Sequence, residues 1–180
     1  RRRDRGYQSL STGIIAAGAG DLARARQMNK QAAKLISADQ EPLIHLLEAQ
    51  TLLLEGDHAA ARKKFEEMLD DPELRPLALH GLYREAERLG DRTAQRHYAA
   101  EAVSLAPQLV WAAEATLEEK AEEGDWDGAL KLLDTQRAVG QVEKKTANRR
   151  RAVLLTAKAM SVLDADPSAR ITIHRNGCAE

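Results

Sequence analysis

Apolar residues along this chain recur at spacings of three and four, the period of a helix that buries one face. The sets Leu43-Leu46-Gln50-Leu53 and Trp111-Glu114-Glu118-Ala121 keep this 3-4-3 spacing even where polar residues replace apolar ones. The pattern predicts helices at about 7–18, 21–37, 42–55, 57–70, 75–89, 91–105, 109–123, 125–138 and 145–164. After Asp166 the pattern changes. Pro167, Gly177 and the alternating Ile171-Thr172-Ile173 do not read as a further helix, and a flexible tail is expected over 165–180.

The predicted helices come in pairs set by a repeat. A Gly-Asp dipeptide stands at Gly20-Asp21, Gly56-Asp57, Gly90-Asp91 and Gly124-Asp125, spaced 36, 34 and 34 residues apart. A period of about 34 residues is that of the tetratricopeptide helix pair. Glycine takes the positive φ that ends one helix, and aspartate caps the first free N–H groups of the next. Five residues past the glycine stand Ala25, Ala61 and Ala129, with Gln95 departing. Nine past it stand Asn29, Phe65, Ala99 and Leu133, and twelve past it Ala32, Met68 and Ala102, with Gln136 departing. Small residues at these points let neighbouring helices approach closely, and the larger ones fill the gap between repeats. Pro107 stops a second helix, whereas Pro42 and Pro76 stand near the start of a first helix, where a missing N–H costs little. The aromatic and Leu-Gly positions of the usual repeat are degenerate here. The reading is an all-α, TPR-like solenoid of antiparallel helix pairs in a right-handed superhelix, over residues 7–164.

In such a stack the first helix of each pair lines the concave side. Counting thirteen, ten, six and three residues back from each glycine gives the inward set. It reads Tyr7-Leu10-Ile14-Ala17, Leu43-Leu46-Gln50-Leu53, Leu77-His80-Arg84-Glu87 and Trp111-Glu114-Glu118-Ala121. An apolar floor passes to a mixed centre and then to an acidic end, a groove suited to an amphipathic helix with a basic end. Tyr7, Leu43, Leu46, Gln50, Leu77, His80, Arg84, Trp111, Glu114 and Glu118 are the candidate partner-binding residues. A second reading makes Leu43, Leu46 and Leu53 packed core, and Trp126 inter-repeat packing. The lysine and asparagine that clamp a terminal carboxylate in chaperone-tail repeats are missing from these positions.

Composition narrows the field further. Aromatics are only 3% and the formal net charge is -1, so nucleic-acid binding is not expected. The charge is uneven: Arg1, Arg2, Arg3 and Arg5 crowd the start, and Lys144, Lys145 and Arg149–Arg151 form a second basic run. Between them, Glu114 to Asp127 holds seven acids against one lysine. The second run reads as a solvated face or as partners for the acidic stretch. The single cysteine, Cys178, excludes an internal disulfide. No apolar run approaches the ~20 residues that cross a bilayer. The first residue is arginine, which suggests a piece of a longer precursor.

Catalytic and metal motifs are not found. His45, His58, His80, His97 and His174 form no helical pair three or four apart, so zinc has no support. No Gly-x-Ser-x-Gly and no phosphate-cradling glycine loop occurs. No cofactor and no enzymatic activity are expected.

Arg1 to Asp21, RRRDRGYQSLSTGIIAAGAGD, followed by EPLIHLLEAQ, GDWDGAL and RRRAVLLTAKA, resembles the HemY family over roughly the first 160 residues. These are tetratricopeptide proteins associated with haem biosynthesis in proteobacteria. The flavin-dependent protoporphyrinogen oxidase of the same name is a different protein, and no Gly-x-Gly-x-x-Gly unit is present here. The resemblance implies hydrophobic spans before this chain begins, which would make residues 1–6 a basic juxtamembrane segment. Arg1, Arg2, Arg3 and Arg5 would then touch anionic headgroups, at about 1 kcal/mol each. A basic cluster beside a span marks its cytoplasmic end, so the repeats are expected on the cytoplasmic side of a bacterial inner membrane. The ending ITIHRNGCAE departs from the family's continuing repeats. The expected function is a membrane-tethered protein–protein scaffold whose groove gathers haem-biosynthesis enzymes. The alternatives are a haem or porphyrin carrier or tetrapyrrole enzyme, with His80 as a candidate iron ligand, and a general cell-envelope adaptor.

Overall fold

The computed structural model describes residues 1–37, 41–138, 140 and 144–165. Within them lie nine α-helices: α1 (Arg2–Gly18), α2 (Leu22–Leu35), α3 (Leu43–Glu55), α4 (His58–Met68), α5 (Arg75–Leu89), α6 (Arg92–Leu105), α7 (Val110–Glu122), α8 (Trp126–Ala138) and α9 (Lys144–Ala165). No strand occurs among the described residues. The chain forms two compact units, one ending at Tyr98 and the other starting at Ala99. In the first unit α1 packs on α2 and α3, α2 on α3, α3 on α4, and α4 on α5; in the second, α7 packs on α8 and α8 on α9. This is an all-α helical repeat.

Each Gly-Asp pair builds the same turn. Gly20, Gly56, Gly90 and Gly124 have φ of 77°, 79°, 69° and 73°, a region that a side chain would strain. Four aspartate N–H groups reach back five residues, from Asp21 to Ala16 O, Asp57 to Leu52 O, Asp91 to Ala86 O and Asp125 to Lys120 O, at 2.8–3.0 Å. The glycine N–H groups bond three residues back in parallel, which completes a Schellman closure at every site. The same aspartates then open the following helix. Asp21, Asp57, Asp91 and Asp125 accept from the N–H of Arg24, Ala60, Ala94 and Gly128 at 3.1, 3.1, 3.0 and 2.9 Å. Two residues thus end one helix and start the next, which is why so short a turn suffices.

The frame past each glycine is the buried face. Ala25, Ala61 and Ala129 are fully buried, as are Ala32 and Ala102, and the larger Met68 is 1% exposed. With only a methyl at these points, backbones come close enough for Phe65 and Leu133 to fill the space alongside. One core joins α1, α2 and α3 through Leu10, Ala25, Ala32, Ile44 and Leu47. A second joins α3, α4 and α5 through Ala49, Phe65, Met68, Ala78 and Leu82. Gln136, one of the departures from small or apolar character, is also buried at 2% exposure, with Oε1 lacking a partner among the described residues.

Three differences from the sequence reading have physical causes. The first helix begins at Arg2 instead of near residue 7, because Gly6 does not break it. A Cβ at Gly6 would collide with the Ile36 side chain, so this glycine marks a close helix approach. Leu10 and Ala17, counted as inward-facing, are core residues, since α1 rolls onto α2 and α3 through its small residues. On α9 the apolar residues are only partly used in packing, although all stand in a predicted helix: Leu154 is buried, with Ala147, but Val153 and Met160 are 64% and 60% exposed. They lie on other sides of the helix. The basic run of α9 does meet the acidic stretch, as Arg150 pairs with Glu114 at 3.4 Å; beyond the run Lys158 pairs with Asp127 at 2.5 Å, and Arg151 pairs with Asp134 on α8 at 3.0 Å. The tail expected over 165–180, with His174 and Cys178, lies outside the described residues beyond Ala165.

Candidate functional site

A concavity of the first unit lies between α3 and α5, over α4. It has a volume of about 560 Å³. From α3 it takes Leu46, Gln50 and Leu53, and from α5 Leu77, His80, Arg84 and Glu87. These are inward positions of the second and third repeats, placed from spacing alone. Gly81, Glu85 and Arg88 of α5 and His58 and Phe65 of α4 complete the wall.

Local structure explains the placement. Residues 46, 50 and 53 of α3 and 77, 80, 84 and 87 of α5 form stripes at three- and four-residue spacing, so each stripe keeps one side of its helix. Neighbouring sides of these helices are anchored by Leu47 and Leu79, both fully buried. Gly81 brings α5 close to α4. A Cβ there would stand 2.5–2.6 Å from three carbons of the Phe65 ring, so α5 rides directly on that ring. Phe65, 4% exposed, is both core and cavity floor.

The rim is polar and internally paired. Arg88 grips Glu85 with two bonds, Nη2 to Oε1 at 2.6 Å and Nε to Oε2 at 2.9 Å. His58 Nδ1 stands 3.4 Å from Glu85 Oε2 on the other side. The Arg88 guanidinium, with a smaller share from His58, holds the Glu85 carboxyl below its ordinary pKa. Arg84 Nε lies 3.6 Å from Glu87 Oε2. His80 stands on the exposed lip, where crowding by the wall and then the Arg84 charge push its imidazole below the usual value, favouring the neutral ring. Gln50 Oε1 and His58 Nδ1 are both buried, and neither has a hydrogen-bond partner among the described residues.

The remaining candidates lie elsewhere. Leu43 does not line the cavity and packs against both cores of the first unit. Tyr7 is half-exposed, with the Arg3 guanidinium 6.0 Å above its ring. Arg2, Arg3 and Arg5 stand at the start of α1 and Arg1 just before it, all exposed. Arg2 donates to Lys34 O at 3.2 Å, and Arg5 lines a polar cleft between α1 and α2 with Ser9, Gln31 and Lys34. Trp111, Glu114 and Glu118 belong to the second unit, where Trp111 is half-buried and Glu114 is held by Arg150. Trp126 packs on Leu133 and Leu154 and donates through Nε1 to Ser161 Oγ at 3.2 Å, the packing role.

The cavity wall contains no Ser, Thr, Cys or Lys. Among the described residues no group of three or more His, Cys, Asp or Glu is arranged to hold a metal ion, and no helix is long and apolar enough to cross a membrane. An apolar floor under a rim of mutually satisfied ions suits the burial of a projecting apolar side chain. Comparison with family models, with curated proteins and with solved structures finds no match to this chain.

Proposed function

We propose that this chain is part of a non-enzymatic helical-repeat scaffold whose first unit docks an amphipathic helix of a partner protein in the cavity between α3 and α5. One observation carries the reading: Leu46, Gln50, Leu77, His80 and Arg84, selected as partner-facing by repeat spacing, line a single cavity of about 560 Å³. A helix laid there buries one or two side chains on Leu46, Leu53, Leu77 and Phe65 and meets the Arg84–Glu87 and Glu85–Arg88 pairs at its edges. Burying a leucine-sized anchor is worth about 1.5–3 kcal/mol, so such docking is reversible unless a second contact joins it.

The resemblance of the arginine-rich start and the GAGD turn to HemY proteins supports a narrower proposal. The scaffold is tethered to an inner membrane, on its cytoplasmic side, through a segment ahead of Arg1, and its partners act late in haem synthesis. The test is a pull-down with the anchored protein and with its Leu77→Glu variant. Enrichment of tetrapyrrole enzymes by the first and not the second is the expected result. Recovery of the same proteins by both, or of none by either, contradicts the proposal.

A second reading, a porphyrin carrier, rests on His80, whose imidazole is biased to the neutral, ligating form beside an apolar floor. It requires a Soret-band shift on titration with haem that is lost in His80→Ala. A featureless titration removes it.

A further inference from the structure

The cleft between α1 and α2, also about 560 Å³, shares no lining residue with the cavity between α3 and α5, and its chemistry is different. Arg5, Arg24 and Lys34 line it as exposed cations, and no carboxylate does. None of these three side chains has an acidic partner among the described residues. The acid closest to Arg24 in sequence, Asp21, is occupied in capping α2 through the Arg24 N–H. Residues 1–37 as a whole hold eight Lys and Arg against two Asp, in a chain of formal net charge -1. Cations gathered along one cleft raise its potential, and an anionic occupant is drawn to it.

The charges stand at the two ends of the cleft. The helices run antiparallel, since a Cβ on Gly6 would meet Leu35 and Ile36 while one on Gly13 would meet Met28, so Arg5 lies at the Lys34 end. Arg24 is ten residues from Lys34 on α2, about 15 Å along the axis. Between the ends the wall is neutral: Gln8, Thr12, Met28 and Gln31, with Ser9, 7% exposed, donating to Gln31 Oε1 at 3.3 Å.

That arrangement sorts the anions. A compact phosphate reaches one end and leaves the other uncompensated. Single-stranded nucleic acid needs rings on which its bases stack, and no aromatic residue lines the cleft. A bilayer offers a plane of charge, which meets exposed arginines without using a recessed neutral wall. An extended peptide fits every feature. At about 3.3 Å per residue, carboxylates four or five residues apart reach both ends. Its main-chain N–H and C=O groups face hydroxyls and carboxamides, which pair with either. We propose that the α1–α2 cleft binds an extended acidic segment of a partner protein, one carboxylate at Arg5 and Lys34 and a second at Arg24. This site is independent of docking between α3 and α5.

The experiment titrates two blocked hexapeptides of one composition into the full chain, followed by amide NMR. One carries a glutamate at each end, the other both glutamates side by side at its centre. The expected result is shifts at Ser9, Thr12 and Gln31, with the end-to-end peptide binding about tenfold more tightly and weakening as salt rises. Arg24→Gln and Lys34→Gln each remove that preference, whereas Lys30→Gln, at an exposed lysine of α2 outside the cleft, keeps it. Unchanged amide positions away from the cleft show that each variant is folded. The proposal is overturned if the two peptides bind equally to the unaltered protein, if Lys30→Gln weakens binding as much as Arg24→Gln, or if neither peptide shifts these amides. Shifts produced by phosphatidylserine vesicles but by neither peptide replace the partner segment with a membrane surface. Inorganic phosphate matching the end-to-end peptide in affinity reduces the cleft to a general anion site and overturns the proposal equally.

Discussion

Replacing Gly81 by alanine adds one methyl group at the point where α5 lies on the Phe65 ring. The new carbon would stand 2.5, 2.6 and 2.6 Å from three ring carbons, well inside contact distance. The ring is 4% exposed and packed in the core that joins α3, α4 and α5, so it has little room to yield. Overpacking of this kind costs about 1–3 kcal/mol. The same change inside a helix gains about 1 kcal/mol of intrinsic propensity. Gly81→Ala is therefore expected to be neutral to about 2 kcal/mol destabilising. Gly18→Ala supplies the reference, because Gly18 is also helical and a Cβ there meets nothing within 4 Å. It lies in the last turn of α1 and gains at most the propensity share. The difference between the two variants isolates the ring contact and is expected at about 1–3 kcal/mol, read from urea unfolding followed by far-UV circular dichroism. Phe65→Leu combined with Gly81→Ala should recover part of the loss through a coupling of about 1 kcal/mol or more. Equal stabilisation by both alanines, or no coupling to Phe65, would refute the close approach that shapes the cavity.

Other expectations follow from the turns and the buried polar groups. Asp57→Ala removes the cap on Ala60 N–H and is expected to cost about 1 kcal/mol in urea unfolding, with Asp57→Asn costing only a few tenths. Asp125 is held below its ordinary pKa by the Gly128 N–H and then by Lys120, and Glu85 by Arg88. A depressed folded pKa gives stability that is full above the unfolded value, about 4, and lost as pH falls through the folded one. Urea midpoints should therefore hold from pH 7 to 5 and decline below about 4, more shallowly in Glu85→Gln and Asp125→Asn; an unchanged slope in both variants contradicts the assignment. Gln136→Leu replaces a 2%-exposed carboxamide whose Oε1 lacks a partner among the described residues, and is expected to stabilise by about 1 kcal/mol. A loss of stability there would point to a hydrogen bond that the packing hides.

The turns were legible because their chemistry is local. Gly-Asp at a period near 34 needs only a positive φ and a side-chain cap, and all four sites deliver both. The buried positions after the turn were legible for the same reason, since the turn fixes the phase of the helix that follows. The inward set was legible in the second and third repeats, where Leu46, Gln50, Leu77, His80 and Arg84 converge. It failed in the first, where Leu10 and Ala17 are core: Gly6, Ser9 and Gly13 form a small-residue face on which α1 closes, and spacing does not reveal how far a helix rolls. His58 and Phe65 were missed because they belong to a second helix, and counting along first helices passes over them. The visible signal was His58 directly after Asp57, which puts an imidazole at a helix start close to the Glu85–Arg88 pair. On α9, apolar residues at 153, 154, 155 and 160 surround the axis, so periodicity alone did not single out Leu154 as the buried one.

A photo-crosslinking amino acid at Leu77, 42% exposed on the cavity wall, addresses the docking claim most directly, with Lys63 on the exposed side of α4 as the control site. The measurement is crosslinking in cells that express the protein, followed by identification of the attached peptides. Docking predicts that position 77, and not position 63, captures a discrete partner through an amphipathic segment, and that Leu46→Glu abolishes the adduct. Equal labelling at both positions, or an adduct at 77 that survives Leu46→Glu, contradicts it.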